Sequence, residues 1–373
     1  MRFSVFILLI LTGAFSPVVS AERCEVLFEN SHHLLPSRPP FIDPGLGIVY
    51  PKKPSDPVAV RIKITRDDLY SDSPIRQQAA KILNVLFAPI SAALGAHQLT
   101  GVVNKLMNDT RSVPYPIKLA EAFSLKIKTS FRTAIEQIPS EGPVIVVSPH
   151  PLAGIDAMAL ASITSAVRKK PDTLIVLIDS LKELPGIHEN AILIDVSGTY
   201  KGKVKNKLAR DSIIDHLKNG GCIVLFPSGS NSSMGPNGKL IDAAWKPGLF
   251  DFASETPDAV IVPMSVSGKL SNVYYQTKAV NPKLVTALLP RELAAQIGST
   301  IEVRIGNGIL ASTALQIAKS HVDQTIESDK MTHLQQIKNA FLGFLKSQVI
   351  HLGNSSSPLD EPVSPSELYL NNR

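Results

Sequence analysis

The chain is poor in cysteine, in charge and in long apolar runs, and each shortage excludes something. Cys24 and Cys222 are the only cysteines among 373 residues. Two are too few for a disulfide scaffold or a cysteine-based zinc site. Charged residues make up 19% of the chain against 44% apolar, which excludes a mainly disordered, collagenous or coiled-coil protein. Neither sign of charge dominates: 38 Lys and Arg oppose 32 Asp and Glu, leaving +6. That suits phosphates or an anionic lipid surface and is too weak to argue for nucleic acid. A Walker-type Gly-Lys-Ser/Thr and a Gly-x-Ser-x-Gly nucleophile elbow are both missing.

The N-terminal apolar run, Phe3 to Phe15, falls short of the ~20 residues that span a bilayer. It follows a basic Met1-Arg2 start, and Ser16-Pro17 and the small residues Val19-Ser20-Ala21 come next. Residues 1–21 therefore read as a secretory signal peptide cut after Ala21, with an uncleaved N-terminal anchor as the alternative. Residues 22–78 form a Pro-rich leader expected to be extended and to wrap the domain. Cys24 can pair with Cys222 in an oxidising compartment, but Cys222 sits in an apolar strand-like run, which favours two inert thiols. The nearly uncharged stretch 82–103 fits either core helices or a hairpin in a membrane interface.

A regular rhythm follows. Short β-branched runs occur at 144–147, 174–178, 192–196, 222–226, 260–262 and 301–305. Helical patterns lie between the earlier ones, at 157–168 and 204–218, the second placing Val204, Leu208, Ile213 and Leu217 on one face. Doubly buried strands alternating with helices predict an α/β fold with a mostly parallel (mixed) β-sheet flanked by helices over residues 79–310. Residues 311–351 are expected to be a helical region, with one helix over 324–350. The polar tail 352–373 reads as disordered.

Two stretches carry the chemistry. In Pro143 to Asp156 a strand ends near Ser148, where ligands gather in parallel sheets, and His150 follows. Asp156 opens the next helix, favoured there by capping and by the helix dipole, within reach of the imidazole one turn back. A carboxylate on one ring nitrogen fixes the tautomer and leaves the other nitrogen as a base. In Gly220 to Gly235 a second buried strand ends in Phe226, Pro227, Ser228, Gly229 and Ser230, a turn whose N–H groups and hydroxyls suit a phosphate or an oxyanion. A structural loop histidine and an ordinary Ser/Gly turn are the plainer readings. His32, His33, His188 and His216 lack metal-ligand company, and Trp245 reads as a packing residue beside the site.

Together the stretches resemble the lysophospholipid/glycerolipid acyltransferase superfamily. His150-Pro-Leu-Ala-Gly-Ile-Asp156 is similar to its first motif, closest to the hemolysin-type and ornithine-lipid branch, whose His-Pro-x-Gly-Gly-x-Asp has five residues between His and Asp. Phe226-Pro-Ser-Gly229, Lys246-Pro-Gly248 and Val262-Pro263 resemble later motifs in the family's order. The resemblance implies a glycerolipid-acyltransferase-like fold, and transfer of a fatty acyl chain to a lipid hydroxyl or amine. The donor would be a thioester, acyl-CoA or acyl carrier protein, or a phospholipid. His150 would be the base, Asp156 its orienting partner, and Phe226 to Ser230 with Lys246 the substrate-binding part. No metal or bound cofactor is implied, and a membrane surface is the expected setting. Ser228 stands where the glycerol-phosphate branch has a Glu, and no Arg follows Ile194-Asp195; Lys201, Lys203, Lys205, Lys207 and Arg210 are the nearest bases, for phosphates or for solvent. A secreted non-catalytic lipid-binding protein on the same fold is the rival expectation. The address adds a tension, because thioester donors are cytosolic whereas the N-terminus points to export or to a membrane.

Overall fold

A computed structural model describes residues 95–130, 135–179, 185–196, 199–280, 285, 288–324 and 332–372, with the backbone of 23–29, 42–43, 47–48 and 59–65. The expected signal segment 1–21, His32 and His33, and residues 82–94 of the apolar stretch lie outside the described residues. Within the leader, Arg23–Glu29 pairs antiparallel with Ala59–Thr65.

One eight-stranded sheet organises the domain. Its strands are β1 (Lys126–Thr129), β2 (Val144–Val147), β3 (Thr173–Ile178), β4 (Ala191–Ile194), β5 (Cys222–Leu225), β6 (Val260–Val266), β7 (Thr300–Ile305) and β8 (Ile309–Leu310). The order is β1-β7-β6-β2-β5-β3-β4, with β8 beside the start of β6. From β6 to β4 every neighbour is parallel; β7 turns antiparallel to β6 and starts a second parallel pair with β1. The mixed, mostly parallel sheet is the one the β-branched runs predict.

The pleat sorts the core. Val144 and Val146 enter one apolar cluster while Ile145 and Val147 enter the other, and both clusters are deeply buried. Alternate side chains of a strand point to opposite faces, so a strand covered on both sides has to be apolar throughout. On the first face lie α1 (Ala96–Met107), α2 (Tyr115–Ala122), α3 (Ile155–Val167) and the terminal α10 (Pro365–Leu370); on the second, α4 (Tyr200–Lys218), α5 (Gly248–Glu255), α8 (Ala311–Gln324) and α9 (His333–Gly353). The described end of the apolar stretch, α1, buries Leu99, Val102, Val103 and Leu106 in the first cluster. Helix α3 is enclosed nearly all round, as a helix without a polar face must be. Its Ser162 and Thr164 hydroxyls are satisfied by the carbonyls of Met158 and Leu160. Two shorter helices, α6 (Asn272–Val280) and α7 (Leu289–Ala295), follow β6.

Four expectations need correction. The tail is ordered: Val363 bridges Ile127 of the edge strand, and α10 starts with a Ser364/Glu367 capping box and buries Leu368. The single terminal helix is two, α8 ending at Gln324 and α9 starting after the cap Thr332. Strand β4 stops at Ile194, leaving Val196 65% exposed. In α4, Ile213 and Leu217 are buried but Val204 and Leu208 are 46% and 63% exposed. The five residues from Leu208 to Ile213 turn the helix by about 140°, so the four never share a face. Cys222 is a free, buried thiol, its pKa pushed up to about 12 by desolvation; the Cys24 side chain is not among those described.

Candidate active site

Strand register places the two chemical stretches side by side. Val144 to Val147 pairs in step with Cys222 to Leu225, so both strands finish at the same level of the sheet. The loop after β2 then carries His150, and the turn after β5 begins at Phe226. A main-chain bond joins them: Ser232 N donates to the His150 carbonyl at 2.8 Å.

Asp156 is wholly buried, and its carboxylate is saturated. Oδ1 accepts from the N–H groups of Gly154 and Ala157, both at 3.0 Å. Oδ2 accepts from Leu152 N at 2.8 Å and faces Nδ1 of His150 at 2.9 Å. An ionised carboxylate only accepts, so Nδ1 carries a proton and Nε2 holds the free lone pair. The loop can converge on one carboxylate because it turns back on itself, with φ of 54° at Ala153 and 111° at Gly154. The resembling motif has glycine at both positions, and Ala153 occupies the left-handed region at a cost of about 1–2 kcal/mol.

The imidazole is held from its face as well. Phe226 stacks on His150 with centroids 4.1 Å apart and planes 26° from parallel. The imidazole side chain remains 19% exposed, enough for a substrate to approach.

The remaining expected site residues divide. Phe226 and Pro227 are buried, and Gly229 turns the chain at φ 63°. Ser228 is buried too, and its hydroxyl donates to the Ser230 carbonyl at 2.9 Å. It therefore shapes the turn from within. Ser230 is exposed at the tip. Lys246 lies over the turn, so close that a Cβ on Gly229 would sit 2.5 Å from its Nζ. It makes no ion pair among the described residues. Behind it Trp245 is buried and donates Nε1–H to Asp242 at 2.8 Å. Lys346 of α9 donates to the carbonyls of Asp242 and Ala243, pinning the segment that carries Lys246.

Helix α6 is the part that motif reading misses. Lys278 Nζ donates to the carbonyls of Asn231 and Ser232, and its pKa is lowered by burial. Tyr274 OH accepts from Asn231 Nδ2 at 2.9 Å, and desolvation pushes its own pKa up to about 12. Tyr274 and Tyr275 cluster with Leu270 and Val285, against which Ala153 packs. The contacts of Tyr274 and Lys278 join α6 to the turn across more than forty positions of sequence, so no local pattern signals this roof.

Other groups stand apart. His216 holds its ring against the carbonyls of Asp172 and Cys222, and His188 is exposed. Among the described residues no three His, Cys, Asp or Glu gather to hold a metal ion, and no helix is long and apolar enough to cross a membrane.

Residues 115–341 match the family described as acyltransferase, more than half of the chain, and the chain belongs to that family. No curated protein matches it. Among solved structures it is similar to the 1-acyl-sn-glycerophosphate acyltransferase PlsC of Thermotoga maritima. That likeness is 16% in identity, with a TM-score of 0.33 over 75% of this chain and all of that one.

Proposed function

We propose that this acyltransferase moves a fatty acyl chain from a thioester, acyl-CoA or acyl carrier protein, to a hydroxyl or amine of a lipid acceptor, with His150 as general base. One observation carries the reading. Asp156 is buried and fully satisfied, its only side-chain donor among the described residues is Nδ1 of His150, and Nε2 is thereby left free and reachable at the strand ends.

The chemistry follows from that arrangement. Nε2 takes the proton of the acceptor hydroxyl or amine as its oxygen or nitrogen attacks the thioester carbonyl. The new acyl bond forms, the carbon–sulfur bond breaks, and the imidazolium returns the proton to the departing sulfur. General-base help of this kind is worth about 10²–10⁴ in rate, and holding acceptor and donor together adds to it. The Asp156 carboxylate stabilises the imidazolium that forms. Phe226, stacked on the ring, keeps its plane fixed through the cycle. Lys246, a cation beside the Gly229 turn, suits a phosphate of the donor or acceptor. An N-terminal anchor or signal segment would bring the enzyme to a membrane.

The test is mass-spectrometric lipid profiling of cells making the full chain or His150→Ala at equal protein level. A lipid species present only with the intact histidine is expected, and its headgroup names the acceptor. A well-folded His150→Ala that still yields that species would overturn the assignment.

A further inference from the structure

Helix α4 exposes what a surface helix normally hides. Tyr200 is 83% exposed, beside Val204 and Leu208, and Val196 in the loop before them is bare as well. Tyr200, Val204 and Leu208 follow one another at four-residue steps, so they form a continuous stripe about 12 Å long. Gly202 and Ala209 are buried, which places the stripe opposite the packed side, facing straight outward.

The charges around it are of one sign. From Tyr200 to Arg210 the helix carries Lys201, Lys203, Lys205, Lys207 and Arg210 and no acidic residue. Lys205 pairs with Asp179 and Arg210 with acids beneath it. Lys201, Lys203 and Lys207 are exposed and make no ion pair among the described residues. At about 100° per residue, Lys203 and Lys207 flank the stripe on one side and Lys201 on the other. An apolar line edged by unpaired lysines is complementary to an anionic lipid leaflet, in which the apolar residues enter the headgroup boundary and the ammonium groups meet phosphates.

Position agrees with chemistry. Helix α4 starts beyond the end of β4, which runs parallel to β3, β5 and β2. Three strand steps of about 4.8 Å lie between β4 and β2, so the start of α4 and the His150 loop follow the same edge of the sheet. We infer that the first half of α4 is a docking surface for an anionic phospholipid leaflet, seating the enzyme with its base toward the lipid. The need for such a surface rests on the lipid acceptor proposed above; the docking itself does not.

Fluorescence tests it on the full chain. The only natural tryptophan, Trp245, is buried and serves as an unquenched reference. Leu208→Trp is expected to lose at least about half its added emission with vesicles of brominated phosphatidylcholine and phosphatidylglycerol, as insertion by about 5–10 Å implies. The quenching should vanish with phosphatidylcholine alone, or when Lys201, Lys203 and Lys207 become Gln. Leu310→Trp, exposed at the opposite edge of the sheet, should stay unquenched. The proposal is overturned if Trp at 208 stays in water while the chain sediments with vesicles, if neutral vesicles quench it equally, or if the chain binds no vesicle. It is equally overturned if an acidic protein such as acyl carrier protein, and not lipid, shields that position from acrylamide. His150→Ala should leave the quenching intact, so loss of catalysis and loss of docking are read separately.

Discussion

The two edges of the sheet are each built around one ionised side chain at an end of helix α3, and they differ in what is left over. At the upper edge Asp156 receives three backbone N–H groups and an imidazole. At the lower edge Arg168, 1% exposed, donates twice to Asp172 and once each to the carbonyls of Pro139, Gly142 and Gly220. Both charges suit the helix dipole, acid at the start and base at the end. The lower edge closes: the guanidinium spends its fork on one carboxylate and on the strand approaches it ties together. The upper edge stops one bond short, because the histidine that satisfies Asp156 brings a second nitrogen with no partner among the described residues. Satisfied polar groups hold a fold together, and chemistry begins at the group left unsatisfied.

Asp156→Asn should break the comparison most severely. The amide turns its NH₂ either toward Leu152 N–H and the imidazole, where the tautomer that frees Nε2 is lost, or toward the N–H groups of Gly154 and Ala157, where donor meets donor and the loop that holds the imidazole is pushed apart. Activity should fall about 10²–10⁴-fold, while the orphaned buried donor costs only about 1–3 kcal/mol of stability. Turnover and urea denaturation of the same preparation separate the two. Arg168→Leu should do the reverse. Its loss strips Asp172 and three carbonyls of their donor, and about 3–5 kcal/mol of stability should go, with activity kept at temperatures where the variant is folded. Equal stability with lost activity would show that the lower edge also takes part in the reaction. The smallest change is a gain: Ala153→Gly relieves a left-handed alanine, offset by extra freedom in the unfolded chain. A rise of up to about 1 kcal/mol is expected by thermal melting.

What could be read beforehand was what depends on neighbours in the chain. Val144 to Val147 is apolar at every position, and only a strand covered on both faces tolerates that. Asp156 was legible because capping, dipole and reach all favour an acid there. The failures have local causes too. The apolar residues of α4 suggested burial, yet half of them face outward; periodicity sees amphipathicity but not which side is covered. The tail looked disordered from its composition, although Ser364-Pro365-Ser366-Glu367 is a helix-start signature and Leu368 is its anchor. The α6 roof was hidden for a different reason. Tyr274 meets Asn231 across 43 positions of sequence, and no local pattern announces such a meeting.

The bond from Ser232 N to the His150 carbonyl has a consequence for how such enzymes diversify. It is made by main chain alone, so no side-chain replacement at either residue removes it, proline at 232 excepted. Side chains of the turn can then change while the main chain at His150 keeps its place. The side chains of the turn and the placement of the histidine are in that sense set separately.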